Sequence, residues 1–251
     1  VKAVNPGIIY ARISGYGQTG PFSEKPGYAS VTEGYGGFRY INGEPGKAPV
    51  RPNISLGDTV AAIHAALGVA FAIIERNKSG NGQVVDVALY ESIFNLLEGL
   101  VPEYDGAGVI REPSGTTITG IVPTNTYACA DGKYVVIGGN GDSIFKRLMT
   151  EAGREDMAND PELKHNQGRV IHEQRIDDAL AQWCSAHKAA EIIAKLEGLF
   201  GTRSSFGPNL WRIPCWGVST LASSLVRRGW IACAGSRRRI LEGSSISFVV
   251  Q

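Results

Sequence analysis

The sequence predicts an α/β fold with a smaller α+β unit behind it. Three observations carry the prediction. Two β-branched stretches, Ile8–Ser14 and Gln83–Leu89, read as strands. Between them lies a long apolar helix, Leu56–Arg76. Further on, a hairpin turning at Asp131-Gly132 is followed by amphipathic helices. Strand, loop, helix, strand, helix is the α/β order.

The totals narrow the function classes. A chain of 251 residues, 43% apolar, buries a real core as one domain or two. A net charge of +1 gives no argument for a nucleic-acid partner. Cys129, Cys184, Cys215 and Cys233 are scattered and form neither a disulfide framework nor a zinc pattern. Cys184 and His187 have metal-like spacing but lack a second pair, so no metal site is expected. No signal peptide stands out, and the apolar helix is interrupted by His64 and flanked by turns. A cytoplasmic location with no membrane partner is therefore expected. The opening Val1-Lys2, without methionine, reads as the start of a piece of something longer.

In chain order, Asn5-Pro6-Gly7 bounds the first strand, which runs into Gly15-Tyr16-Gly17-Gln18-Thr19-Gly20. Those letters match G-x-G-x-x-G. A dinucleotide fingerprint needs a helix to open at the motif's end. Pro21 and the loop residues after it argue against one, so the glycines are expected to shape a loop whose backbone comes close to something. Tyr28–Tyr40 reads as a helix with a glycine end, and Asn42–Pro52 as loop.

The helix of Leu56–Arg76 is apolar nearly all round, which predicts a buried helix, with Ala62, Ala66 and Gly68 admitting a close neighbour. Asp58 stands at its mouth. Two readings are open: an ordinary N-cap, or a catalytic carboxylate held where the helix end favours an anion. His64 reads as a satisfied core histidine. The helix stops near Asn77–Gly82, and Tyr90–Leu100 again shows helical spacing.

Residues 1–100 thus form the α/β part, 101–122 a linker, and 123–197 a small α+β domain with helices at Asp142–Glu151, within Asn166–His187, and at Lys188–Glu197. The composition then breaks. After Glu197 there is no lysine and one acid, Glu242, but seven arginines and three of the four tryptophans. Residues 198–251 read as an atypical tail, either irregular or from a non-native reading frame.

Four blocks in fixed order carry a resemblance: Asn5–Pro21, Lys25–Tyr28, Ser55–Thr59 (S-L-G-D-T) and Gly80–Glu91 (G-x-G-Q-x-V-D-V-A-L-Y-E). Over roughly residues 1–197 the chain resembles the family III CoA-transferases, which include formyl-CoA transferase, carnitine CoA-transferase and the bile-acid-inducible proteins. The resemblance implies part of a large Rossmann-like domain with a smaller domain, and an interlocked homodimer. It places the family's catalytic aspartate on Asp58. Coenzyme A would be a substrate, with no tightly bound cofactor, and CoA would pass from an acyl-CoA to a carboxylic acid through an aspartyl intermediate.

The same match puts Gly27, Tyr28 and Leu89 at CoA- or substrate-contacting positions. On the residues alone, Tyr28 reads equally as a loop aromatic and Leu89 as a core leucine. In the related acyl-CoA racemases a histidine occupies the position of Tyr28. A phenol, with an ordinary pKa of about 10, is a poor base, which favours transfer over racemisation. Gly115–Gly120 falls where some members carry a mobile glycine-rich loop. The family's N-terminal part is absent, which leaves an inactive fragment as the other reading.

Overall fold

The computed structural model describes residues 2–200, 231–233 and 246–250, with side chains as far as residue 196. It divides into two compact units. The first takes Val1–Asn42 and Lys47–Glu112, with two short strands from the end of the chain; the second takes Gly43–Gly46 and the chain from Pro113 to Phe200.

The first unit is built on β1 (Ile9–Ser14), whose Ile9 and Ala11 are fully buried. β2 (Val84–Ala88) runs parallel to it, in a register from Tyr10 opposite Val84 to Ser14 opposite Ala88. Helix α1 (Ala29–Tyr35) stops at Gly36 and Gly37, where φ of +86° at Gly37 turns the chain into the short α2 (Phe38–Ile41). The single helix expected over Tyr28–Tyr40 is therefore two, because a left-handed residue cannot continue a helix.

α3 (Leu56–Ser79) packs on the sheet. Its buried stripe is small: Gly57, Ala61, Ala65, Val69 and Ala72. A Cβ at Gly68 would stand 2.7 Å from Val85 Cγ1, so the helix sits close on β2 there. Here the expectation of a helix buried all round is corrected. Ile63, Leu67, Phe71 and Ile74 face outward, each half or more exposed. By length and composition α3 is also apolar enough to cross a bilayer; its small-residue stripe is instead packed on the sheet.

The direction of α3 follows from its ends. Gly80, at φ +74°, caps the helix through its N–H to Arg76 O. Gly82 then donates to Pro6 O at 2.8 Å and passes so close to Ile8 that no side chain fits. The last turn thus lies at the entry of β1, and the first turn lies toward the carboxyl ends of the strands.

After β2 come α4 (Leu89–Phe94), a 3-10 turn at Asn95–Leu97, and α5 (Leu100–Ala107). α5 occupies the stretch expected to be linker; Pro102 sits in its first turn, where the missing N–H costs nothing, and Gly108 caps it. The junction between the units falls after Glu112. Strands β5 (Ile231–Cys233) and β6 (Ile246–Val250) complete the sheet: β6 pairs with β1 and β5 with β6, giving the order β2-β1-β6-β5. The expectations for residues 198–251 otherwise lie outside the described residues.

In the second unit, β3 (Thr124–Ala128) and β4 (Tyr134–Gly138) form the expected antiparallel hairpin, with Gly132 at φ +73° in the turn. The helices are α6 (Asp142–Glu151), α7 (Glu155–Ala158), α8 (Asn166–Ile171), α9 (Glu173–Ser185) and α10 (Ala189–Phe200). Their apolar faces meet in one core that includes Phe145, Leu148, Leu163, Ile176, Leu180 and Ile192. Within this unit Arg169 is fully buried. Its guanidinium donates to the carbonyls of Val122, Leu163, Lys164 and Asn140 and to Asp142 Oδ1.

Candidate active site

In open parallel sheets, ligands collect beyond the carboxyl ends of the strands. In the first unit, β1 and β2 end together at Ser14 and Ala88. The glycine loop follows β1 directly. Its turns are held from inside by Ser14 Oγ, which accepts the Gly17 N–H at 3.1 Å, and from β2 by Asp86 Oδ2, which accepts the Gln18 N–H at 2.9 Å. No helix opens at Gly20; α1 starts only at Ala29. The dinucleotide reading is thus excluded by structure as it is by sequence.

What the glycines approach is each other. A Cβ on Gly15 would lie 2.4 Å from Gly27 Cα. Two backbone segments touch there with nothing between them. Around this contact, Tyr16, Phe22, Tyr35 and Tyr90 form an aromatic cluster with ring centroids 5.3 to 5.9 Å apart, mostly edge to face. Lys25 Nζ lies 4.0 Å from the Phe22 ring centre.

Gly27 leads straight to Tyr28, the residue before α1, whose side chain is 73% exposed. The next residue, Ala29, meets Gly57: a Cβ on Gly57 would stand 3.1 Å from Ala29 Cα. The start of α1 and the first turn of α3 are therefore in backbone contact. Tyr28 and Asp58, thirty positions apart in the sequence, are the chain neighbours of the two residues in that contact.

Asp58 is not the N-cap. Ser55 holds that position, and Asp58 is the third residue of the helix. Its side chain is exposed, and among the described residues its carboxylate has no hydrogen bond or ion pair. The helix end supplies it with a favourable field but asks no capping bond of it. Of the two open readings, the commonplace one therefore loses its basis.

Leu89 is placed differently. It is 6% exposed and packs with Ala29, Ala61, Ala65 and Val87. Its side chain supports the contact between α1 and α3 from beneath. His64 is only half-buried, with Nδ1 unpartnered among the described residues and Nε2 3.4 Å from Asn95 Nδ2, so the satisfied core histidine expected from sequence is not found. Asp86, Ser92 and Asn95 join it around an open pocket of about 270 Å³.

Among the described residues no group of acidic, histidine and cysteine side chains could hold a metal ion. Cys184 is buried, and burial pushes its thiol up to about 12, so it stays protonated; His187 Nδ1 is engaged with Trp183 O. Gly115 and Gly120 have positive φ and belong to the second unit, where the Gly115 N–H is tied to Gly43 O at 2.9 Å.

Sequence reading passed over Glu33 and Arg39, a partly buried ion pair next to the first turn of α3. No spacing rule links residue 33 to residue 57, and an acid followed by an arginine six residues later is unremarkable in a sequence.

A family model described as CoA-transferase family III matches residues 1–222. The chain belongs to the family III CoA-transferases. The family match runs past residue 197, where the four-block resemblance ends. At 44% identity over 192 residues, the chain is similar to the succinyl-CoA–D-citramalate CoA-transferase of Chloroflexus aurantiacus, covering 76% of this chain and 48% of that protein. It is 31% identical to the succinate–glutarate CoA-transferase of Agrobacterium fabrum over 176 residues, 70% of this chain and 44% of the relative. Among solved structures, a CAIB/BAIF family protein from Brucella suis matches with a TM-score of 0.64 at 29% identity, over 79% of this chain and 52% of that one. The chain spans about half the length of the curated relatives it matches.

Proposed function

We propose that this chain carries the nucleophilic half of a CoA-transferase site, with Asp58 as the nucleophile. The observation that carries the reading is the carboxylate itself: exposed, without a partner among the described residues, and fixed on the first turn of a 24-residue helix. Relatives named for succinyl-CoA suggest succinyl-CoA as donor and a small carboxylic acid as acceptor.

The reaction balances without a metal or a redox partner. An Asp58 carboxylate oxygen attacks the donor thioester carbon, the C–S bond breaks, and CoA leaves as a thiolate. The product is a mixed anhydride of Asp58 and the donor acid. The thiolate then attacks the Asp58 carbonyl of the anhydride and expels the donor carboxylate, leaving an aspartyl-CoA thioester. The acceptor carboxylate attacks that thioester and again releases the thiolate. Attack of the thiolate on the acceptor carbonyl forms the new acyl-CoA and frees Asp58. Splitting one transfer into four displacements is nucleophilic catalysis. Backbone N–H groups of the glycine loop other than those bonded to Ser14 and Asp86 would steady the oxyanion of each addition.

Gly27 and Tyr28 would form the wall beside the thioester, and Leu89 would support it from below. The chain matches only half of its relatives, so the full-length protein would supply further CoA contacts and act as a homodimer, and we place it in the cytoplasm. Racemisation is disfavoured by a phenol where a base would be needed. The test is isotopic. With an acceptor acid labelled with ¹⁸O in both carboxylate oxygens, a single turnover by the full-length protein should leave one ¹⁸O in the Asp58 carboxylate. Turnover with no label on that peptide would refute the anhydride route.

A further inference from the structure

The first turn of α3 is capped from outside the helix. The Ser55 side chain makes no capping bond. The Gly57 N–H, one of the groups a helix leaves unpaired at its start, donates instead to Glu33 Oε1 at 3.2 Å. Glu33 lies on α1 and is fully buried. Its other oxygen, Oε2, accepts from Arg39 Nε at 2.9 Å, with Arg39 Nη2 also 2.9 Å away. Arg39 Nη2 continues to Ser30 Oγ at 2.9 Å. Both oxygens of a buried carboxylate are thus engaged.

Two arguments set this arrangement apart from an ordinary ion pair. Burying a carboxylate costs several kcal/mol unless its lone pairs and charge are met, and an apolar residue would fill the same space without that cost. Second, Glu33 bonds the residue next to Asp58. A second anion at that helix end would repel the Asp58 carboxylate; the Arg39 guanidinium cancels this charge while leaving the acceptor oxygen in place.

We propose that Glu33, neutralised by Arg39, is a positioning residue that holds the Gly57 N–H and so aims Asp58, without touching the substrate. This rests on Asp58 being the nucleophile.

The experiment uses the full-length protein with succinyl-CoA and measures the single-turnover rate of Asp58 adduct formation beside KM for succinyl-CoA. Glu33→Ala should slow adduct formation about 100-fold, the scale of a small misplacement of a reacting group, with KM changed less than about threefold. Glu33→Gln, which keeps an acceptor for the Gly57 N–H, should recover most of that rate. If the alanine variant does not fold, Arg39→Gln decides: it leaves the Glu33 charge uncompensated beside Asp58, and a rate about tenfold below wild type that Glu33→Gln added to it restores supports the proposal. An unchanged rate in folded Glu33→Ala or Arg39→Gln overturns it. So does a proportional loss of rate and substrate binding together with a lowered melting temperature, the mark of a merely structural pair. Wild-type turnover with no Asp58 adduct would instead overturn the nucleophile, and this proposal with it.

Discussion

Gly15 and Gly27 touch backbone to backbone: a Cβ added to Gly15 would lie 2.4 Å from Gly27 Cα, and one added to Gly27 would lie 2.5 Å from Gly15 Cα. The loop after β1 and the segment entering α1 are pinned at this point. Gly15→Ala or Gly27→Ala should destabilise the first unit by about 3 kcal/mol, as overpacking does. Gly20 tests the specificity of the effect. It has φ +89° but open space around it, so Gly20→Ala should cost only about 1 kcal/mol of backbone strain. Urea unfolding midpoints compare the three.

Tyr28 and Leu89 should separate binding from stability. Tyr28 is 73% exposed and Leu89 6%. Tyr28→Ala should leave the melting temperature within a few degrees and raise KM for acyl-CoA about tenfold, the loss of roughly 1.4 kcal/mol of contact. Leu89→Ala should destabilise by about 3 kcal/mol. Thermal melts and steady-state kinetics on the same preparations check both.

Arg169 carries the second unit. Replacing it by methionine would leave the carbonyls of Val122, Leu163, Lys164 and Asn140 without their donor, and a buried acceptor left unsatisfied costs about 1 to 3 kcal/mol. Proteolysis within Pro113–Phe200 should appear in Arg169→Met under conditions where wild type resists.

Acid should weaken the same region. The His165 hydrogen bond first, and then Arg169, hold the Asp142 carboxyl below the usual carboxylate range. A depressed folded-state pKa means stability that is present above the unfolded value of about 3.9 and lost as pH falls through the folded one. Melting temperatures should therefore drop below about pH 4, and Asp142→Asn should flatten that drop.

The elements with strong local signals were legible in the sequence. Ile9–Ser14, Asp142–Glu151 and the Asp131-Gly132 hairpin lie where β-branching, helical spacing and a glycine turn put them. α3 shows the limit: a helix apolar on all sides does not say which stripe is buried, and the sheet took the small residues because they allow closer packing. α5 and α7 are too short for a period to register. At the site, Asp58 was visible as a carboxylate at a helix mouth, and the family blocks chose its role. The Gly15–Gly27 and Glu33–Gly57 contacts were not visible, because each joins residues whose separation is set by the fold and by no local rule.

The most direct test of the central claim is a quench of the full-length protein during turnover with succinyl-CoA, followed by mass spectrometry of the peptide containing Asp58. A covalent CoA thioester on Asp58 is expected, absent from Asp58→Ala, which should also lose at least about 10³-fold in turnover. A folded, CoA-binding protein that transfers CoA with no adduct on that peptide, or an Asp58→Ala protein that still transfers it, would contradict the account.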